Sequence, residues 1–177
     1  MKIAFIFSAA TALLLAVSCN SNNDKRKSFD EVVEYNDYIV DRINGMDSVY
    51  MLALDAESGI DACMKKCEDL VKFCDKTEQD FKGIQPFKGD SSLTMQALQY
   101  TQFMRNNGKK EIKALLGLIE DFQEEEAAGE VPSDEIVAQI QETAGKIDER
   151  YDEEINKLDE VQKKFSIKHN FTVNTRR

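Results

Sequence analysis

Apolar residues recur along most of this chain in alternating steps of three and four, the spacing that lines one face of an α-helix. The first seam runs Val32, Ile39, Met46, Ala53, with Ile43 and Tyr50 between and Asn36 interrupting it. Ser28-Phe29-Asp30-Glu31 ahead of it has the form of a capping box, so the first helix is expected to start at Ser28. It should end at Glu57-Ser58-Gly59, where Ser58 can cap the next helix with Asp61 at its third position. The second seam is Ile60, Cys63, Cys67, Leu70, Cys74, Thr77, Phe81, and Gly83 closes it. Gly83 to Asp90, with Pro86 and Gly89, reads as a crossover loop. Ser91 or Ser92 opens a third helix, clearest at Ile112, Leu115, Ile119 and Phe122, with Asn106-Asn107-Gly108 marking a kink or a break. After a turn at Ala127 to Pro132, Ser133 caps a fourth helix through Val137, Ile140, Ala144, Ile147, Tyr151, Leu158, Val161 and Phe165. At about 1.5 Å per residue the third and fourth helices each reach roughly 50 Å. No segment alternates with the period of a strand. Short turns after the first and third helices make antiparallel neighbours, so the predicted fold is all-α, an up-down antiparallel four-helix bundle with long helices 3 and 4. A long two-helix hairpin bearing a shorter one is the alternative.

The residues before Ser28 follow another pattern. Lys2 precedes fifteen largely apolar residues, Ile3 to Val17, and then Ser18. That core is shorter than the roughly 20 residues a membrane span needs, and reads as a cleaved export signal. Leu15-Ala16-Val17-Ser18-Cys19 resembles a bacterial lipobox, in which the cysteine thiol takes a diacylglycerol and becomes the first mature residue. It departs from that pattern in one place: Ala16 stands where leucine is usual, and Leu15 lies one residue earlier. An ordinary secretory signal with an incidental Cys19 is the alternative. Asn20 to Lys27 is polar and of low complexity, as a flexible tether should be. The expected organisation is a lipoprotein signal at 1–18, a lipidated tether at 19–27, a helical domain at 28–171 and a tail at 172–177. Multiple acyl chains give durable anchoring. Asn20 offers no reason for retention in an inner membrane, so the expected address is the outer membrane of a Gram-negative envelope, its periplasmic or surface face left open.

The remaining 159 residues suffice for one domain with a real core. Scarce breakers (two Pro, eight Gly) agree with helix. The mature chain is one charge more negative than the −10 of the whole sequence. With no basic stripe it does not suit nucleic acid. The charges are unevenly placed. Between Lys113 and Lys146 there is no Lys or Arg, while Glu120, Asp121, Glu124, Glu125, Glu126, Glu130, Asp134, Glu135 and Glu142 all fall there. Glu124, Glu125 and Glu126 oppose the dipole at the end of the third helix. This acidic knob, with Glu130, is either a solvated tip or a surface for a basic partner or a divalent cation. It lacks the alternating Asp/Asn and Gly of a calcium loop. The opposite end of a bundle would collect Lys25, Arg26, Lys27, Lys82, Lys88, Lys163, Lys164, Lys168, Arg176 and Arg177, a basic foot against an acidic head.

Cys63, Cys67 and Cys74 share one helix face with Ile60, Leu70 and Phe81. Small core residues are the plain reading. Cys67 and Cys74 would lie about 10 Å apart along the axis, beyond the roughly 7 Å that a disulfide spans. Three thiolates could serve a soft metal, although no Cys-x-x-Cys pair is present. The single histidine, His169, suits a capping role at a helix C-terminus. There is no Glu-x-x-His, His-Glu-x-x-His or Gly-x-Ser-x-Gly, and no phosphate-binding glycine loop.

Tyr35-Asn36-Asp37-Tyr38, Pro86-Phe87-Lys88-Gly89 and the ending Phe165-x-x-Lys168-His169-Asn170-Phe171 resemble an uncharacterised family of bacterial surface lipoproteins of the kind found in Bacteroidota and spirochaetes. The resemblance implies a lipid-anchored helical domain at the cell envelope and transfers no catalytic residue. The expectation is therefore a non-enzymatic binding or structural module, held to the membrane by its N-terminal lipid, with an envelope protein as partner, no cofactor and an open oligomeric state. A small-ligand or metal carrier using the three thiols is the second reading, and an enzyme with a site outside known motifs the third.

Overall fold

The computed structural model describes residues 25–173. The expected signal, the lipidation residue Cys19 and the tether up to Asp24 lie outside the described residues, as do Asn174 to Arg177. Five α-helices follow in order: α1 (Val32–Ala53), α2 (Ile60–Lys82), α3 (Ser92–Asn106), α4 (Ile112–Ala127) and α5 (Asp134–His169). A π-helical turn, Asn107–Glu111, joins α3 to α4, so the helical rods among the described residues number four. The fold is all-helical; the described residues hold two isolated β-bridges and no strand. No described helix is long and apolar enough to cross a membrane.

Residue pairs show how the rods meet. Arg42 bonds Asp80 at 2.9 Å and the Cys74 thiol points at Met46 Sδ, so numbers fall along α2 as they rise along α1. Arg105 with Asp75 and Gly108 beside Cys67 give the same opposed order where the α3 rod meets α2, and Phe103 under Arg150 with Asp90 bonded to His169 gives it for the α3 rod and α5. The predicted seams are buried at Ile39, Ile43, Met46 and Tyr50 on α1, at the three cysteines, Leu70 and Phe81 on α2, at Ile112 and Leu115 on α4, and at Ile147, Leu158 and Phe165 on α5, while Val32, Ile60, Ile119, Phe122, Val137, Ile140, Ala144, Tyr151 and Val161 are half-buried.

The helix starts differ from expectation. The capping box at Ser28 does not form; α1 begins at Val32 and its N-cap, Glu31, makes no side-chain bond. The cause is a long-range pairing. Lys27 N donates to Gly83 O and Gln85 N donates to Lys27 O, both at 2.8 Å, which holds the chain extended where Ser28 would have to turn. Lys27, placed in the tether by composition, is thus bonded to the crossover loop. Ser58 does not cap α2 either: its hydroxyl donates to Asp55 Oδ2 at 3.0 Å, and Gly59 takes the cap position. Ser133 caps α5 as its sequence predicts, accepting from Ile136 N.

The expected kink or break at Gly108 is a π turn, in which the helix continues without exposing a new pair of ends. Gly108 is buried there because α2 comes very close. A Cβ on it would lie 3.1 Å from Cys67 O and 3.1 Å from Leu70 Cδ2. Exposed Gly145, in the middle of α5, has nothing within 4 Å of such an atom. Gly108→Ala should therefore destabilise the protein by about 1–3 kcal/mol through overpacking. Gly145→Ala should stabilise it by roughly 0.5–1 kcal/mol. Thermal melts of the two variants check both signs, and a Gly108→Ala melt at or above wild type would contradict the close α2 contact.

Candidate functional site

The three segments that carry the family resemblance meet at one end of the molecule. Tyr35 from the first turn of α1, Phe87 from the crossover loop and Phe165 from the last turns of α5 form one aromatic cluster, with centroid separations of 5.6 to 6.4 Å. His169 stacks into it, 4.4 Å from Phe165 and edge-on to Phe87 at 5.2 Å. Such pairs stabilise beyond the area they bury. The Tyr35 hydroxyl bonds Thr94.

Asp90 ties this cluster together. Its side chain is only 8% exposed. It accepts from Ser92 N at 2.9 Å and from Lys168 Nζ at 2.7 Å, and pairs with His169 Nε2 at 3.0 Å. One carboxylate thus serves the start of α3 and the end of α5. Burial raises the Asp90 carboxyl, but the bonds from Lys168, Ser92 and His169 outweigh it and hold the group well below the usual carboxylate range. His169 lies in the last turn of α5, at the helix C-terminus where it was expected, and Asn170 after it takes the left-handed conformation. Phe171 N reaches back to Ser166 O, and its ring packs on Phe165, which completes a Schellman end.

Asn36, the polar break in the first seam, is also explained. Its Oδ1 accepts from Gln162 Nε2 at 2.8 Å between buried stretches of α1 and α5. Further along, Tyr100 donates to Asp47 Oδ1, and Tyr50 stacks on Tyr151 at 5.1 Å. Burial pushes the Tyr50 and Tyr100 phenols up, helped by the neighbouring Asp148 and Asp47 respectively, so both stay protonated.

The thiols face the interior. Cys63 donates to Asp55 O at 3.1 Å, and Cys74 to Met46 Sδ at 3.7 Å. Burial pushes Cys67 up to about 11 and Cys74 up to about 12, so both are neutral thiols near pH 7. Among the described residues, no three or more His, Cys, Asp or Glu side chains gather as a metal ion requires.

At the other end, the four candidate partner residues divide. Glu124, Glu126 and Glu130 are exposed. Glu125 is half-buried and accepts from Ser133 N at 3.0 Å, so it clasps the start of α5. The turn between them is a Schellman end, with Gly129 at φ 80° and Glu130 N donating to Glu125 O. A shallow groove of about 320 Å³ beside it is lined by Ile60, Asp61, Glu120, Gln123, Glu124 and Ala127.

Asp90 is the residue that sequence reasoning missed. Its signal was slight, an acid just ahead of a serine pair at a helix start. The depressed carboxyl makes its contribution depend on pH. Because its folded pKa lies below the unfolded value near 4, the stabilisation is present above that value and is lost as the pH falls toward the folded pKa. Asp90→Asn should cost about 1.5–3 kcal/mol at pH 7, the range of a charged hydrogen bond. It should also flatten the fall in melting temperature below pH 4. Parallel melting curves for wild type and variant across that range would contradict the assignment.

Comparison with known proteins leaves this chemistry to speak for itself: no family model, no curated protein and no solved structure matches the chain.

Proposed function

We propose that this chain is a non-enzymatic, lipid-anchored module of the bacterial cell envelope, held in the outer membrane through Cys19. Its rods form an up-down antiparallel four-helix bundle; the opposed order of contacts along α1 and α2, α2 and α3, and α3 and α5 supports that arrangement. Its work is presentation, an anchored rod that offers its far end to a basic surface of an envelope protein. The observation that carries this reading is the polarity of the molecule. The chain enters at Lys25-Arg26-Lys27, beside the crossover loop and the end of α5. The turn between α4 and α5 lies at the opposite ends of those rods and presents Glu124, Glu126 and Glu130 with no Lys or Arg between Lys113 and Lys146. The thiols point at separate partners, Cys63 at Asp55 O and Cys74 at Met46 Sδ, which favours this reading over the carrier.

One fractionation experiment tests anchor and head together. Wild type should pellet with membranes, and Cys19→Ala should appear in the soluble fraction without the acyl mass. Glu124→Gln with Glu126→Gln, which spares the Glu125 clasp, should still pellet and keep its melting temperature. It should lose a cross-linked partner that wild type holds at low salt and releases at high salt. Unchanged mass and retention in Cys19→Ala would refute the anchor, and partner capture indifferent to both salt and the Gln pair would refute the acidic head.

A further inference from the structure

The end of the molecule where the chain enters carries a feature that presentation does not use. A groove of about 250 Å³ is lined by the apolar side chains of Phe81, Ile84, Pro86, Met95 and Leu98, with Arg26 and Lys82 among its other walls. Met95 is 57% exposed beside it, on the first turn of α3. A second exposed apolar side chain lies at the same end. Ser91 touches Met95, the adjoining Asp90 holds Lys168, and next to Lys168 stands Ile167, 71% exposed. Lys88 lies over the Phe87 ring at the same end, and Lys163 and Lys164 are exposed one turn before Ile167. Large apolar side chains on the first turn of α3 and the last turn of α5, with lysines near them, leave hydrocarbon uncovered at this end.

We propose that this face, made of the groove, Met95 and Ile167, docks on an anionic lipid surface. The inference rests on the anchored reading for its setting, and two observations choose the occupant. The first is reach. Lys25, the first described residue, lies six residues after Cys19, which spans at most roughly 20 Å of extended chain, so an acylated Cys19 keeps the face close to a bilayer. The second is charge complementarity. Arg26 and Lys82 stand in the walls of the groove, Lys88 is exposed at the same end, and Lys163, Lys164 and Lys168 are exposed within one turn of Ile167. The nearby acids are paired, Glu78 with Lys82 and Arg105, Glu160 with Lys164 and Asp90 with Lys168, so Lys88 and Lys163 carry most of the charge offered to a membrane. Exposed Asp30, Glu31 and Glu34 belong to the start of α1, which does not line the groove. Apolar side chains that enter the headgroup boundary and cations beside them are the two ingredients of interfacial binding. Docked this way, the body stands on its base, and the acidic turn points away from the membrane, whose negative charge would repel it.

The test uses the chain from residue 19 onward carrying Cys19→Ala, which has neither an acyl group nor the apolar stretch 3–17. It is floated with phosphatidylcholine vesicles, with and without phosphatidylglycerol, at low and high salt. The expected result is flotation with the anionic vesicles alone, reversed by salt, because each cation near an anionic surface strengthens binding about fivefold. Met95→Glu and Ile167→Glu, both at exposed positions, should keep the wild-type melting curve and each lower the floated fraction at least severalfold. No flotation of the folded chain with anionic vesicles overturns the proposal. So does equal flotation with both vesicle types, or flotation indifferent to Met95→Glu and Ile167→Glu. The acyl mass on the full chain from cells is read separately, so failure of the anchor and failure of the docking face remain distinguishable.

Discussion

A single buried carboxylate closes the base of this molecule. Asp90 sits where the crossover loop becomes α3, and it is bonded by the α3 amide of Ser92 and by Lys168 and His169 at the end of α5. An unpaired charge in that position would be costly, and these three bonds offset that cost beside the aromatic cluster. Phe87, Phe165 and His169 are oriented by this node, and Tyr35 brings α1 into the same cluster. The β-bridge from Lys27 to the loop then fixes the direction from which the chain arrives.

From that base the rods run unequal distances. α1 and α2 span 22 and 23 residues, whereas α5 spans 36, roughly 54 Å. α4 and the start of α5 consequently have fewer neighbours, and Leu118, Phe122, Val137 and Ile140 are only half-buried. The π turn marks the transition. It lies where Gly108 lets the rod press against Cys67 and Leu70, so the closest packing comes just before the rod emerges. The acids that oppose the dipole at the end of α4 are accommodated because one of them, Glu125, accepts from the amide of Ser133, the cap of α5. The others face water.

Local chemistry made much of this readable. The seams of α1, α2 and α5, the end of α2 at Gly83 and the cap at Ser133 depend on residues within one or two turns, and each stands as the spacing indicates. What could not be read is what depends on distant partners. The Ser28 capping box lost to a bridge between residues 27 and 84. His169 pairs with Asp90, 79 positions away. Asn36 is a blemish in its own helix and a hydrogen-bond partner across 126 positions. The break at Asn107-Gly108 was visible as a weakness, but its form was set by the nearness of α2. The same division holds for function. The proposed anchor and the charge polarity are read from local sequence, and the base that joins three distant segments is not.

The central claim is that the base is a rigid unit organised by Asp90 and the acidic turn is the free end. Amide hydrogen exchange resolved by residue tests it most directly. The account predicts that the amides of Lys27, Gln85, Ser92 and Phe171 exchange as slowly as those in the middle of α1, while the amides around Ala128 to Ser133 open far more easily. Rapid exchange at the base beside a protected acidic turn would contradict it.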